Sequence, residues 1–111
     1  MKTIESNKLI AEFMGITNIV SEDDFLSGEY DGDDVTVAEV FKYHESWDWL
    51  MPVVEKIESL GYWIRMDYGD VFIVNDDSDI IIKNPMHEDG YTKLSLVYQV
   101  VVEFITWYNA Q

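Results

Sequence analysis

Carboxylates are the most abundant side chains of this sequence that could bind cations or basic proteins, and many of them are concentrated in one stretch. Residues 21–34 form what we call the acidic segment, and its carboxylates are Glu22, Asp23, Asp24, Glu29, Asp31, Asp33 and Asp34. No lysine or arginine occurs between Lys8 and Lys42. Carboxylates spaced along an extended chain resemble a phosphate backbone, which grooves lined by lysine and arginine bind. The acidic segment is therefore a candidate partner-binding site, and the alternative is a solvated surface loop.

A calcium site is a second chemistry that such residues can support. Residues 31–34 read Asp-Gly-Asp-Asp, like part of an EF-hand loop. That loop requires glycine at its sixth position and glutamate at its twelfth, and with Asp31 in first place Lys42 stands where the glutamate belongs. We expect neither a metal nor a cofactor. The acidic residues at 76–79 are expected in a polar hairpin turn.

The inventory for enzymatic catalysis is poor. There is no cysteine, and the histidines are His44 and His87, which no helical spacing pairs for a metal. His87 is expected in a loop, and His44 precedes a helix N-terminus, where a cation is disfavoured. No nucleophile elbow, phosphate-binding glycine loop or HExxH pattern is present. We predict that the protein is not an enzyme.

Two tryptophans near residue 48 have different predicted roles. Trp47 falls on the apolar stripe of a helix and is expected in the core. Trp49 falls off that stripe, and an exposed tryptophan beside acidic residues is a candidate interface anchor. Simple packing is the alternative for Trp49.

The composition bounds the class of protein. The chain has 111 residues, of which 48% are hydrophobic, and a formal net charge of −15. This predicts a single folded α+β domain over residues 1–111, with its charge on the surface. Such a charge repels nucleic acid and anionic membranes and attracts basic surfaces. The sequence shows no secretory signal pattern and no apolar run of membrane-spanning length, so we expect a cytoplasmic protein.

Periodicity predicts the elements that position these residues. Helical spacing of apolar residues favours helices over residues 3–14, 46–60 and 92–108. A period of two, interrupted at Gly69 and at residues 75–78, predicts a three-stranded antiparallel meander. The predicted order is helix, acidic loop at about 16–43, helix, meander, and a long C-terminal helix packed on the sheet. Within the loop, a short strand or turn of helix is expected at 35–40, and Pro52 kinks the second helix or begins it.

The last helix is apolar around more than half of its circumference. Besides its core stripe it has Leu96, Val100 and Trp107 on another face. Such a helix is either surrounded by the protein core or offered to another chain. A homodimer through the C-terminal helix follows from the second interpretation.

Three stretches carry a resemblance. They are NKLIAEFMG at 7–15, YHESWDWLMPVVEKIE at 43–58 and VYQVVVEFITWYN at 97–109. Together they resemble a group of short, mostly uncharacterised proteins encoded by bacteriophages and mobile elements of Bacteroidota-type bacteria. The resemblance implies an α-β-β-β-α body and no catalytic residues, and the acidic segment departs from the group.

The resemblance and the charge together suggest a function. Several unrelated phage proteins that inhibit restriction or CRISPR nucleases are small and acidic, because carboxylates can occupy a channel built for phosphates. The hypothesis is an anti-CRISPR-like inhibitor that binds a basic surface of a Cas effector or another nuclease in the host cytoplasm. An oligomerising adaptor protein is the alternative.

Overall fold

The structure, a computed structural model, describes residues 3–20, 36–67, 69–84 and 92–111. In these ranges the chain forms helices, a three-stranded sheet and a separate pair of two-residue strands. The predicted α+β class is confirmed, with a C-terminal helix that packs on the sheet. Across these ranges no helix combines the length and apolar character needed to cross a bilayer. In chain order the elements are α1 (Thr3–Phe13), β1 (Ile19–Val20), β2 (Thr36–Val37), a 3-10 turn (Ala38–Val40), α2 (Trp47–Ser59), β3 (Trp63–Asp67), β4 (Asp70–Val74), β5 (Ile80–Lys83) and α3 (Lys93–Asn109).

The ends of the first two helices are set by glycine. At the end of α1 the Gly15 N–H donates to the Glu12 carbonyl at 3.0 Å, and the Ile16 N–H donates to the Ala11 carbonyl at 3.0 Å. Gly15 has a φ of +93° and Gly61, just after α2, a φ of +94°, which side chains with a Cβ rarely adopt. Both helix ends therefore fall where the sequence predicts them.

The meander has the strand order β3-β4-β5 with antiparallel pairing throughout. One cross-strand row, Ile64, Ile73 and Ile82, faces the core. The turn between β4 and β5 is held by Asn75, whose side-chain oxygen accepts from the Asp77 and Asp79 N–H groups at 3.0 and 2.9 Å. The predicted polar hairpin turn at 76–79 is thus confirmed.

Helix α3 lies at the centre of the core. It begins with a capping box, in which Thr92 and Ser95 each accept a hydrogen bond from the backbone N–H of the other. It contacts α1, α2, β4 and β5. Leu96 and Val100 are buried in this core, and Trp107 is half-buried. The sequence predicts that the C-terminal helix is either surrounded by the core or in contact with another chain. For Leu96 and Val100 the first interpretation is correct.

Helix α2 is continuous through Pro52. It buries Leu50, Val53 and Ile57, spaced by three and four residues, against the core. Ser46 occupies the N-cap position as predicted, but its side chain makes no capping hydrogen bond.

Candidate protein-binding surface

Most of the predicted site residues lie outside the described ranges. These are the seven carboxylates of the acidic segment: Glu22, Asp23, Asp24, Glu29, Asp31, Asp33 and Asp34. His87 and the calcium-like stretch at 31–34 also lie outside. The structure does describe the two points at which the chain enters and leaves this region, and it describes Trp49.

The two chain ends that flank the acidic segment lie side by side. β1 and β2 pair in parallel, with Ile19 opposite Thr36 and Val20 opposite Val37. The Thr36 N–H also donates to the Asn18 carbonyl at 3.0 Å. Neighbouring strands are about 4.8 Å apart, so this ladder brings both ends of the acidic segment to one place on the surface. We call this paired base the stem. Strand β2 of the stem confirms the short strand expected near residues 35–40. Its partner strand and the parallel direction of pairing are not specified by periodicity.

Trp49 is half-buried and packs against two aromatic rings. Its ring meets Tyr43 edge-on at 5.3 Å between centroids and Phe41 edge-on at 6.3 Å. Phe41 and Tyr43, both buried, come from the loop before α2. Burial also raises the pKa of the Tyr43 hydroxyl. Trp49 thus serves packing to a large extent, with part of its ring accessible from a groove.

Of the two tryptophans of α2, Trp47 is the exposed one, and its predicted core position is wrong. Its side chain is 37% exposed, and Met51, one turn later, is 43% exposed. The buried arc of α2 centres on Leu50, Val53 and Ile57, and Trp47 and Met51 lie about a quarter turn or more away from it. The apolar stripe read from the sequence is wider than the arc that the neighbouring elements cover.

Three carboxylates share the exposed side of α2 with these apolar residues. We call this surface the α2 outer face, and its members are Trp47, Asp48, Met51, Glu55 and Glu58, all exposed. The one cation of α2, Lys56, points elsewhere, because its ammonium donates to the Phe13 carbonyl and lies 4.6 Å from the centre of the Phe13 ring. Within the described residues no lysine or arginine is in ion-pairing distance of these three carboxylates. The α2 outer face is thus negative, with an exposed aromatic anchor.

A groove of about 400 Å³ joins the approach to the stem with the beginning of α2. Met14 and Ile16 line it from the α1 side, and Asp48, Trp49 and Pro52 line it from α2. The chain that leads into the acidic segment is therefore next to the N-terminal half of α2. This adjacency lets one partner contact both regions.

A buried amide holds the loop before α2 in place. Asn7, on α1, donates to the Phe41 carbonyl at 3.2 Å, and its Nδ2 lies 3.0 Å from Nδ1 of His44. The Tyr98 hydroxyl, on α3, donates to Oδ1 of Asn7 at 2.9 Å. Burial raises the pKa of Tyr98, while a hydrogen bond with Ser6 opposes this shift. Because Asn7 is buried and has partners for its donors and acceptor, His44 belongs to a packing network.

The outer face of the sheet has charges of both signs. Arg65, Phe72 and Lys83 form one cross-strand row on the side away from the core, and both cations are exposed. The cross-strand pair Asp67 and Asp70 lies on the same face, because residues two positions apart on a strand point to the same side. The α2 outer face differs from this surface in having carboxylates without an ion-pairing cation among the described residues.

Metal chemistry receives no support from the described residues. Among them no group of three or more His, Asp or Glu side chains is arranged to hold a metal ion. The buried polar side chains in these ranges also have hydrogen-bond partners. What the described geometry offers chemically is recognition by charge and by exposed apolar side chains.

No protein-family model matches the chain, and no curated protein and no solved structure shows significant similarity to it. The resemblance to phage-encoded proteins therefore stays a prediction.

Proposed function

We propose that this protein binds a basic surface of a nucleic-acid-processing protein and blocks access of nucleic acid to that surface. The favoured target is an RNA-guided nuclease of a host defence complex. The observation that carries the proposal is the α2 outer face, with three carboxylates and an exposed tryptophan. A groove joins the N-terminal half of α2 to Met14 and Ile16, which precede the stem of the acidic segment.

The charge of the whole chain supports this function. At −15 the protein attracts cationic surfaces and repels the nucleic acid with which it competes. Electrostatic attraction accelerates the encounter, and apolar anchors such as Trp47 slow dissociation. Carboxylates that replace phosphates in a lysine- and arginine-lined channel give a binding affinity that falls as salt rises.

The test is inhibition of target cleavage by purified RNA-guided nucleases loaded with guide, at low and physiological salt. The informative variant is the triple change Asp48→Asn, Glu55→Gln and Glu58→Gln, which removes three negative charges from the α2 outer face. Its matched control, Asp76→Asn, Asp77→Asn and Asp79→Asn, removes three charges from the β4–β5 turn. We expect the first to weaken inhibition at least about tenfold and the second to change it much less.

A second variant addresses the acidic segment. Charge reversal at Asp23, Asp24, Asp31, Asp33 and Asp34 is expected to abolish inhibition while thermal unfolding remains cooperative. Unchanged inhibition in this variant contradicts phosphate mimicry. Affinity capture from host cells at low and high salt, followed by identification of the eluted proteins, then identifies the target.

A further inference from the structure

A groove lies along α3 and is separate from the α2 outer face. Its volume is about 650 Å³, and its lining is mainly apolar. Ser6 of α1 contributes to one wall, and the α3 residues that matter for its chemistry are Tyr98, Val102, Glu103 and Trp107. From Ser95 to Thr106 the groove extends about 16 Å at 1.5 Å per residue, which is the length of three helical turns.

Glu103 is the one charged residue in the lining of this groove. Its side chain is partly buried, and this burial raises the pKa of its carboxyl. Within the described part of the chain it has no lysine or arginine in ion-pairing distance and no hydrogen-bond partner. A carboxylate held in partly apolar surroundings without a cation is a feature that a bound cation would stabilise.

We propose that this groove binds an amphipathic helix of a partner protein that presents a lysine or arginine to Glu103. The apolar residues of such a helix, spaced by three and four positions, contact Val102 and Trp107. Its cation pairs with the Glu103 carboxylate and lies near the Tyr98 and Trp107 rings, which favour cations over their faces.

Electrostatics favours a basic helix of a partner protein over a second copy of this chain in the groove. Two molecules of charge −15 repel each other, and a helix of this protein would bring further carboxylates to Glu103. A basic helix is instead attracted by the negative charge of the protein. The inference rests on the proposed function for the basic character of the partner and adds a second contact to the α2 outer face.

A synthetic peptide tests the proposal on the full chain. The probe is a leucine–lysine helical peptide of about 14 residues, long enough for about four turns. Isothermal titration calorimetry measures its affinity, and the NMR signal of the Trp107 indole N–H reports where it binds. Two further peptides replace either all leucines with serine or all lysines with glutamine, and both are expected to bind at least about tenfold more weakly.

Matched protein variants locate the contact. Glu103→Gln and Glu12→Gln each remove one negative charge, the first in the groove and the second at an exposed position of α1. We expect Glu103→Gln to weaken peptide binding about tenfold and Glu12→Gln to change it less than about twofold. Val102→Lys, which places a cation in the groove, is expected to weaken it as strongly as Glu103→Gln.

Four results would overturn the proposal. The first is equal affinity for the serine–lysine peptide, since charge alone would then explain binding. The second is an equal effect of Glu103→Gln and Glu12→Gln on peptide binding. The third is binding of hexylammonium at Glu103 with the affinity of the peptide, which would make the groove a site for small amines. If the groove variants still inhibit a nuclease fully, the groove proposal fails and the proposed function stands.

Discussion

Trp47 and Trp49 show how two neighbouring residues of one type come to different roles. Two positions along an α-helix are rotated by about 200°, so one ring points to solvent when the other points inward. The loop before α2 decides which of the two rings points inward, because its residues Phe41 and Tyr43 pack against Trp49. The anchor that the sequence suggests at Trp49 is better placed at Trp47.

Alanine substitutions at these two positions should separate binding from stability. Trp47→Ala is expected to lower the free energy of unfolding by about 1 kcal/mol, less than Trp49→Ala does, because Trp47 is the more exposed of the two. It should weaken nuclease inhibition at least about tenfold if Trp47 anchors the partner. Trp49→Ala is expected to cost about 2 kcal/mol of stability through lost aromatic packing. Urea unfolding and inhibition assays on both variants check this, and a stability loss confined to Trp47→Ala would contradict it.

Glu103 gives stability a dependence on pH that can be measured. Its pKa in the folded protein is raised from the ordinary value of 4.5 by burial. The folded state therefore keeps a proton that the unfolded state has lost, and the free energy of unfolding falls as pH rises through the interval above 4.5. Glu103→Gln should then be more stable than the parent protein at pH 7 and lose this advantage at pH 3.

The control for this prediction is Glu58→Gln, at an exposed position of α2. It removes the same charge from a protein of −15 and so reports the general effect of reduced repulsion. Urea unfolding at both pH values provides the comparison. An equal gain from both variants at pH 7 would show that burial of Glu103 has no consequence for stability.

At the scale of elements, most boundaries could be predicted because local residues fix them. Gly15 and Gly61 adopt positive φ at helix ends, and Asn75 organises the turn before β5. Alternation of apolar residues sets the faces of the meander. The parallel pairing of β1 and β2 could not be predicted in this way, since two-residue strands carry no periodic signal and their partners are distant in sequence.

Pro52 offers a test within α2. It lies inside the helix, so the Asp48 carbonyl lacks the N–H donor that a helical residue four positions later provides. Pro52→Ala restores that donor and should raise the free energy of unfolding by about 1 to 3 kcal/mol. Thermal and urea unfolding measure the gain. The control is Glu55→Ala, one turn away on the same helix, which shows how much the helix propensity of alanine alone changes the free energy of unfolding. If Pro52→Ala raises the free energy of unfolding no more than Glu55→Ala does, the prediction is wrong.

At the scale of the whole molecule, charge and burial together predict a monomer. Leu96 and Val100, which suggested a dimer through the C-terminal helix, lie in the core of a single chain. Copies of charge −15 also repel one another at moderate salt. Multi-angle light scattering at micromolar concentration is expected to give the mass of one chain, 13.0 kDa. A dimer that persists on dilution would restore the oligomerising adaptor as a candidate.

Composition and local residue patterns predict the α+β class, the order of the elements, most helix ends and the acidic character, since these properties depend on local conformation and on composition. They also suggest Trp49, near the beginning of α2, as an interface anchor, and they predict Trp47 in the core. The tertiary structure adds which tryptophan of α2 is exposed, which face of α3 is buried, and that the two chain ends flanking the acidic segment pair as one stem. These features depend on contacts between residues far apart in the chain, and a periodic pattern shows only that a face is apolar, without showing what covers it.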